Sequence, residues 1–171
     1  MSLQGKKGGT MKAKNKLLTL LILSAGAAVT TAAINKAIQV SAVSKNLLAE
    51  PEPLCFKWRL GNVYYTKEGT GKPLLLIHDL DTCTSGYEWK QLIPFLSSKY
   101  TVYTIDLLGF GRSEKANMTY TNFLYVQLIS DFIKSEIGHR TSIITSGEAA
   151  SIPLMACANN PDLFDQIMAI N

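Results

Sequence analysis

Few residues of this chain could carry chemistry. Its two histidines, His78 and His139, are the only imidazoles that could move a proton. Three widely spaced cysteines, Cys55, Cys83 and Cys157, form no C-x-x-C pair and no His/Cys cluster. A metal site therefore has no support, and no cofactor is expected. An odd number of cysteines cannot pair fully within one chain, and Cys157, in a helical pattern, reads as a buried free thiol. Two serines also stand out. Ser146 and Ser151 bracket "SGEAAS", a run of small residues between an apolar stretch and a helix-like one. A hydroxyl nucleophile needs a base within hydrogen-bond reach. His139 follows a helix stop and reads as a surface residue.

These residues sit on elements with a clear alternation. "FKWRL" and "NVYYTKEG" flank Gly61-Asn62 and predict a β-hairpin. "PLLLIHD" is a short continuous apolar run, as expected of a strand buried on both faces of a parallel sheet, and "TVYTIDLLGFGRS" is a second such strand ending in a Gly-rich turn. Between them, Ser85 is a candidate N-cap for "YEWKQLIPFLSSK", where Trp89, Leu92, Ile93 and Leu96 recur at helical spacing and Pro94 is an irregularity. The clearest helix is "YTNFLYVQLISDFIKSEIG". It places Tyr125, Leu128, Ile129, Phe132 and Ile133 on one face, with Gly138 as its stop. "TSIITS" is a third buried strand. "AASIPLMACANN" is a helix if Pro153 lies in its first turn, and "DQIMAIN" begins a further strand. The expected fold class is α/β, a mainly parallel sheet flanked by helices and preceded by one hydrophobic helix.

That preceding helix is expected from residues 17–34, "LLTLLILSAGAAVTTAAI", which carry no charge. Eighteen helical residues span roughly 27 Å, close to the ~30 Å core of a bilayer. Lys6, Lys7, Lys12, Lys14 and Lys16 precede the run, and the positive-inside bias then places the N-terminus in the cytoplasm and the rest outside. An uncleaved single-pass anchor over 17–43 is the preferred reading. The alternative is a secretory signal with "LLTLLIL" as its core and cleavage near Ala25-Gly26-Ala27. Met1 and Met11 both stand as candidate starts. The net charge of +4 belongs to the leader, 1–16, because the remaining residues hold 12 basic and 13 acidic side chains. A nucleic-acid partner is therefore not expected. Residues 44–55, with "AEPEP", read as the linker into the globular part, 56–171.

The stretch "LLLIHDLDTCTSGYEWKQLIPFLSSKYTVYTIDLLGFGRS" resembles the front half of α/β-hydrolase-fold proteins of the esterase and haloalkane-dehalogenase-like type. There a strand ends in His-Gly, a helix carries a Trp, and the next strand ends in D-x-x-G-x-G-x-S. Asp106, Gly109, Gly111 and Ser113 match that last motif one for one. The resemblance implies hydrolysis of esters or similar small apolar substrates by Ser, Asp or Glu, and His, in that chain order. It places the nucleophile on a G-x-S-x-G turn between strand and helix. Oxyanion donors are then expected at the His78, Asp79 and Leu80 loop and at Ala150.

Laid on this pattern, "GEAAS" puts Gly147 at the first Gly, Ala149 at the nucleophile and Ser151 at the second Gly. The small residues that the turn needs are kept, and the hydroxyl is not. Ser146 and Ser151 are weaker alternatives: Ser146 would need Ile144 where a small residue belongs, and Ser151 lies two residues into the helix. Asp79 replaces the usual Gly after His78, where a carboxylate opposes negative charge unless it points away or is protonated. His78 itself reads as a structural loop histidine. The resemblance puts the acid and the catalytic His in a later portion, so the chain is expected to be truncated and catalytically impaired. The alternatives are a non-catalytic binding or structural module on a membrane, or one part of a split hydrolase gene. A sheet ending at "QIMAI" also leaves an apolar edge open to self-association.

Overall fold

The computed structural model describes residues 53–170 and, before them, the helical and exposed Thr30, Ala33, Ile34, Lys36, Ala37, Ile38 and Val40. The basic leader and most of the expected membrane segment and linker fall outside the described residues. Among the described residues no helix is long and apolar enough to cross a membrane. Contacts divide the chain into two units between Leu47 and Leu48, and the sheet belongs to the second.

Six strands form that sheet in the order β1-β2-β4-β3-β5-β6. They are β1 (Leu54–Trp58), β2 (Gly61–Glu68), β3 (Lys72–Ile77), β4 (Tyr100–Ile105), β5 (Thr141–Ser146) and β6 (Phe164–Ile170). The pairs β1–β2 and β2–β4 are antiparallel, while β4–β3, β3–β5 and β5–β6 are parallel. The first strand starts at Leu54, within the residues expected to be linker. The hairpin is present, but its turn is Arg59-Leu60. Gly61 is already in β2 and pairs with Trp58.

The continuous apolar runs are explained by coverage on both sides. In β3, Leu75 and Ile77 join the larger core with Tyr103, Ile105 and Ile143. Leu74 and Leu76 point the other way, to Val102, Ile144, Trp89 and Ile93. Alternation of period 2 thus reads as an unbroken run when each face has its own apolar cover. The larger core is closed by α2 (Asn122–Phe132) and α3 (Ser151–Asn159). All five residues expected on one face of α2 are buried. Its end widens into a single turn over Ile133–Ile137 and stops at Gly138, which is left-handed at φ 72°. Trp58 Nε1 donates to Asp131 at 2.9 Å, tying β1 to this helix.

The stretch expected to be one helix after Ser85 is instead a tight turn, Gly86–Trp89, followed by the four-residue α1 (Ile93–Leu96). Ser85 does cap it, accepting from the Tyr87 N–H. Pro94 supplies no N–H to bond back to the preceding turn, so a helix can begin near Pro94 but cannot run through it. Pro153 lies in the first turn of α3. Cys157, expected to be buried, is only half-buried, and Cys55 and Cys83 are exposed.

Candidate functional site

Because β3, β4 and β5 are parallel, the segments after their C-terminal ends open on one edge of the sheet, where ligands of open α/β sheets bind. His78 and Asp79 follow β3, Asp106 follows β4, and Gly147 follows β5. Between β5 and α3 the chain makes one tight turn, Gly147–Ala150. Gly147 is left-handed at φ 53°, and a Cβ there would strike the Asp79 carboxylate. The turn therefore needs glycine twice over, for its backbone and for its neighbour. Ala149, at the expected nucleophile position, is 0% exposed. Ser151 opens α3 and donates its hydroxyl to the Glu148 carbonyl at 3.1 Å. Ser146 ends β5 with its hydroxyl buried and unpartnered.

Asp79 does not point away from this turn. Its Oδ1 accepts the Leu80 N–H at 2.7 Å and the Glu148 N–H at 2.8 Å. Its own N–H donates to Glu88 Oε2 at 3.3 Å. Its carbonyl accepts from His78 Nδ1 and from the Thr84 hydroxyl, both at 2.6 Å. The loop after β3 is thereby pinned through the N–H, the carbonyl and one carboxylate oxygen of a single residue.

His78 is fully buried with both ring nitrogens committed. Nδ1 donates to the Asp79 carbonyl, which leaves Nε2 to accept the Leu107 N–H at 3.0 Å. Burial pushes its pKa below the usual histidine value, outweighing the raising effects of its Asp79 hydrogen bond and of Asp106, Glu88 and Asp79. A neutral ring of fixed tautomer holds β3 to the end of β4. His139 lies beyond the opposite end of β5, about 20 Å from Ala149 at ~3.3 Å per strand residue.

The D-x-x-G-x-G-x-S residues make a clip. The Asp106 carboxylate accepts from the Gly86 N–H at 2.7 Å and from the N–H and Nε of Arg112 at 2.9 and 3.0 Å. Ser113 Oγ donates to the Asp106 carbonyl at 2.5 Å and accepts the Tyr64 N–H at 2.8 Å. Gly111 lies against the Asp106 carboxylate and Gly109 against the Tyr120 ring, so neither has room for a side chain.

The geometry has known counterparts. No family model matches. A 2-hydroxy-6-oxo-6-(2'-aminophenyl)hexa-2,4-dienoic acid hydrolase of Metapseudomonas resinovorans is 33% identical over 105 residues, 60% of this chain and 34% of its own. A soluble epoxide hydrolase of Corynebacterium sp. (strain C12) is 27% identical over 110 residues, 64% of this chain and 37% of its own. The crystal structure of an α/β-hydrolase-fold protein from Burkholderia ambifaria superposes with a TM-score of 0.64 at 19% identity, over 69% of this chain and 43% of that one. The chain has the α/β-hydrolase fold. It spans about a third of the length of these two curated relatives.

In this α/β-hydrolase fold the strand ends enclose a cleft of about 500 Å³ lined by Asp79, Cys83, Thr84, Ser85, Tyr87, Glu88, Ser146, Gly147 and Ile170. Of the two candidate serines, Ser146 is on its wall, whereas Ser151 is spent on its own helix start. Two carboxylates, Asp79 and Glu88, line it and no lysine or arginine does. Among the described residues no cluster is placed to hold a metal ion. Sequence reasoning missed Glu88 and Cys83 as wall residues, and Arg112 as the partner of Asp106. Glu88 had a usable signal, since it immediately precedes the Trp that the resemblance singled out. The Glu148 N–H had none, because a backbone donor leaves no mark in a sequence.

Proposed function

We propose that residues 53–170 form a domain of the lineage that hydrolyses esters or similar small apolar substrates, impaired in covalent catalysis and held at a membrane by residues 17–34. One observation supports the impairment: Ala149, wholly buried in the turn after β5, occupies the position that the resemblance to G-x-S-x-G assigns to the nucleophile. A methyl group cannot attack a carbonyl. The histidines do not compensate, since His78 is committed on both nitrogens and His139 is at the far end of β5. The hydrolase names of the relatives support the lineage. The acidic, partly apolar cleft favours a neutral ester-like ligand over an anionic one.

A fluorophosphonate probe tests this on the purified chain. No covalent adduct is expected; an adduct mapped by mass spectrometry to Ser146 or Ser151 overturns the reading. For the anchor, the mature N-terminus decides. An intact leader is expected, and a chain starting after Ala27 would instead show a cleaved signal.

A further inference from the structure

We propose that Asp79 is an autoinhibitory latch, an internal carboxylate on the cleft wall that occupies the N–H donors of Leu80 and Glu148 and closes them to external carboxylates and oxyanions. The reading of the cleft as a hydrolase cleft is needed only to name the class of ligand excluded.

One oxygen of Asp79 takes the N–H of its neighbour Leu80 at 2.7 Å and that of Glu148, 69 residues from Asp79, at 2.8 Å. Hydrogen bonds to a charged acceptor at these lengths are the strong kind. Another N–H of the loop, that of Asp79, is held by a second carboxylate, Glu88. The latch also fills space, because the Asp79 side chain lies directly over the Gly147 α-carbon. With a glycine at position 79, as in the His-Gly pattern that the loop resembles, the Leu80 and Glu148 donors would lose this shared acceptor beside the cleft. No basic residue lines the cleft to draw an anion in against Asp79 and Glu88. The carboxylate thus does from within what a bound anion would do from outside, and it ties the β3 loop to the β5 turn.

The test uses the full chain in detergent micelles, with backbone amide NMR and acetate as the probe. In the wild type, the Leu80 and Glu148 amides should exchange slowly with solvent, and millimolar acetate should leave their shifts unmoved. Asp79→Gly should speed exchange at these two amides roughly tenfold or more. The Ile143 and Ile144 amides of β5 should stay protected, and acetate should now shift Leu80 and Glu148 saturably. Asp79→Asn keeps an acceptor oxygen, so protection should persist. The latch is overturned by fast exchange of both amides in the wild type, by unchanged exchange in Asp79→Gly, or by acetate shifting wild type and variant alike. If Asp79→Gly fails to fold, wild-type exchange and the Asp79→Asn variant decide alone. Labelling by a fluorophosphonate bears on Ala149 and leaves this outcome untouched.

Discussion

At the edge of the sheet where the cleft lies, what each buried polar side chain does depends on which backbone group it satisfies. Asp106 is the strongest case: it is 1% exposed, paired with Arg112, and also accepts the Gly86 N–H. Asp106→Ala should destabilise the domain by about 3 kcal/mol, because it removes the acceptor of the buried Gly86 N–H and breaks the ion pair with Arg112. Urea denaturation reads this as a lowered midpoint at unchanged slope. A loss within error of zero would mean that water replaces the carboxylate. His78 carries a pH signature instead. Its folded-state pKa lies below the unfolded value of about 6.5, so the unfolded chain binds more protons in the window between the two. The stabilisation is complete above about pH 6.5 and is lost as the pH falls toward the folded-state value. His78→Ala should be less stable at neutral pH and should flatten the fall in stability just below that pH. Denaturation midpoints across that range check it, and an unchanged fall in the variant assigns it to other groups. Both residues stood out in the sequence, one by motif and one by its place after an apolar run. Gly86 and Leu107, which bond to them, did not, because these two contribute only backbone.

The elements that sequence reading recovered are those whose local pattern and tertiary cover agree. The strands β3, β4 and β5 read as apolar runs because both faces are covered, and α2 reads as a helix because a single stripe faces the core. The stretch 86–96 failed for the opposite reason. Trp89 and Ile93 are buried at helical spacing, yet they pack against β3 and β4 from a turn and a four-residue helix separated ahead of Pro94. Spacing alone cannot distinguish that from one continuous helix. The hairpin turn was misplaced because Gly61 and Asn62 have turn chemistry but pair with Trp58 and Lys57 in the ladder. For α2 the decisive local feature is Thr121, whose hydroxyl accepts the Leu124 N–H at 3.2 Å before the first helical turn. Thr121→Ala should cost about 1 kcal/mol, while Thr121→Ser should cost only a few tenths. Thermal unfolding of the pair separates a lost cap from a lost methyl contact; equal losses would show that the hydroxyl contributes nothing.

For the domain as a whole, the uneven cover of the sheet is what bears on association. On the face carrying Leu74, Leu76 and Ile144, the segment with Trp89 and Ile93 packs over the central strands. Met168 stands beside Ile144 in the β5–β6 register and shares that face, yet it is 58% exposed. Its strand is also last in the sheet order, so among the described residues one side of β6 has no neighbour to receive its N–H and C=O groups. An apolar side chain on an unpaired edge favours pairing with a second copy. Burying one methionine contributes ~1.5–3 kcal/mol, and a Met168→Lys change should weaken self-association by roughly tenfold or more. Sedimentation velocity of the purified chain over a range of concentrations measures this. Phe123→Lys is the control, because Phe123 is 65% exposed on α2, on the opposite face of the sheet. Association that falls for Met168→Lys and not for Phe123→Lys places the contact at β6. The reverse pattern would move it to the helical face, and a monomer at every concentration would show that the edge does not self-associate.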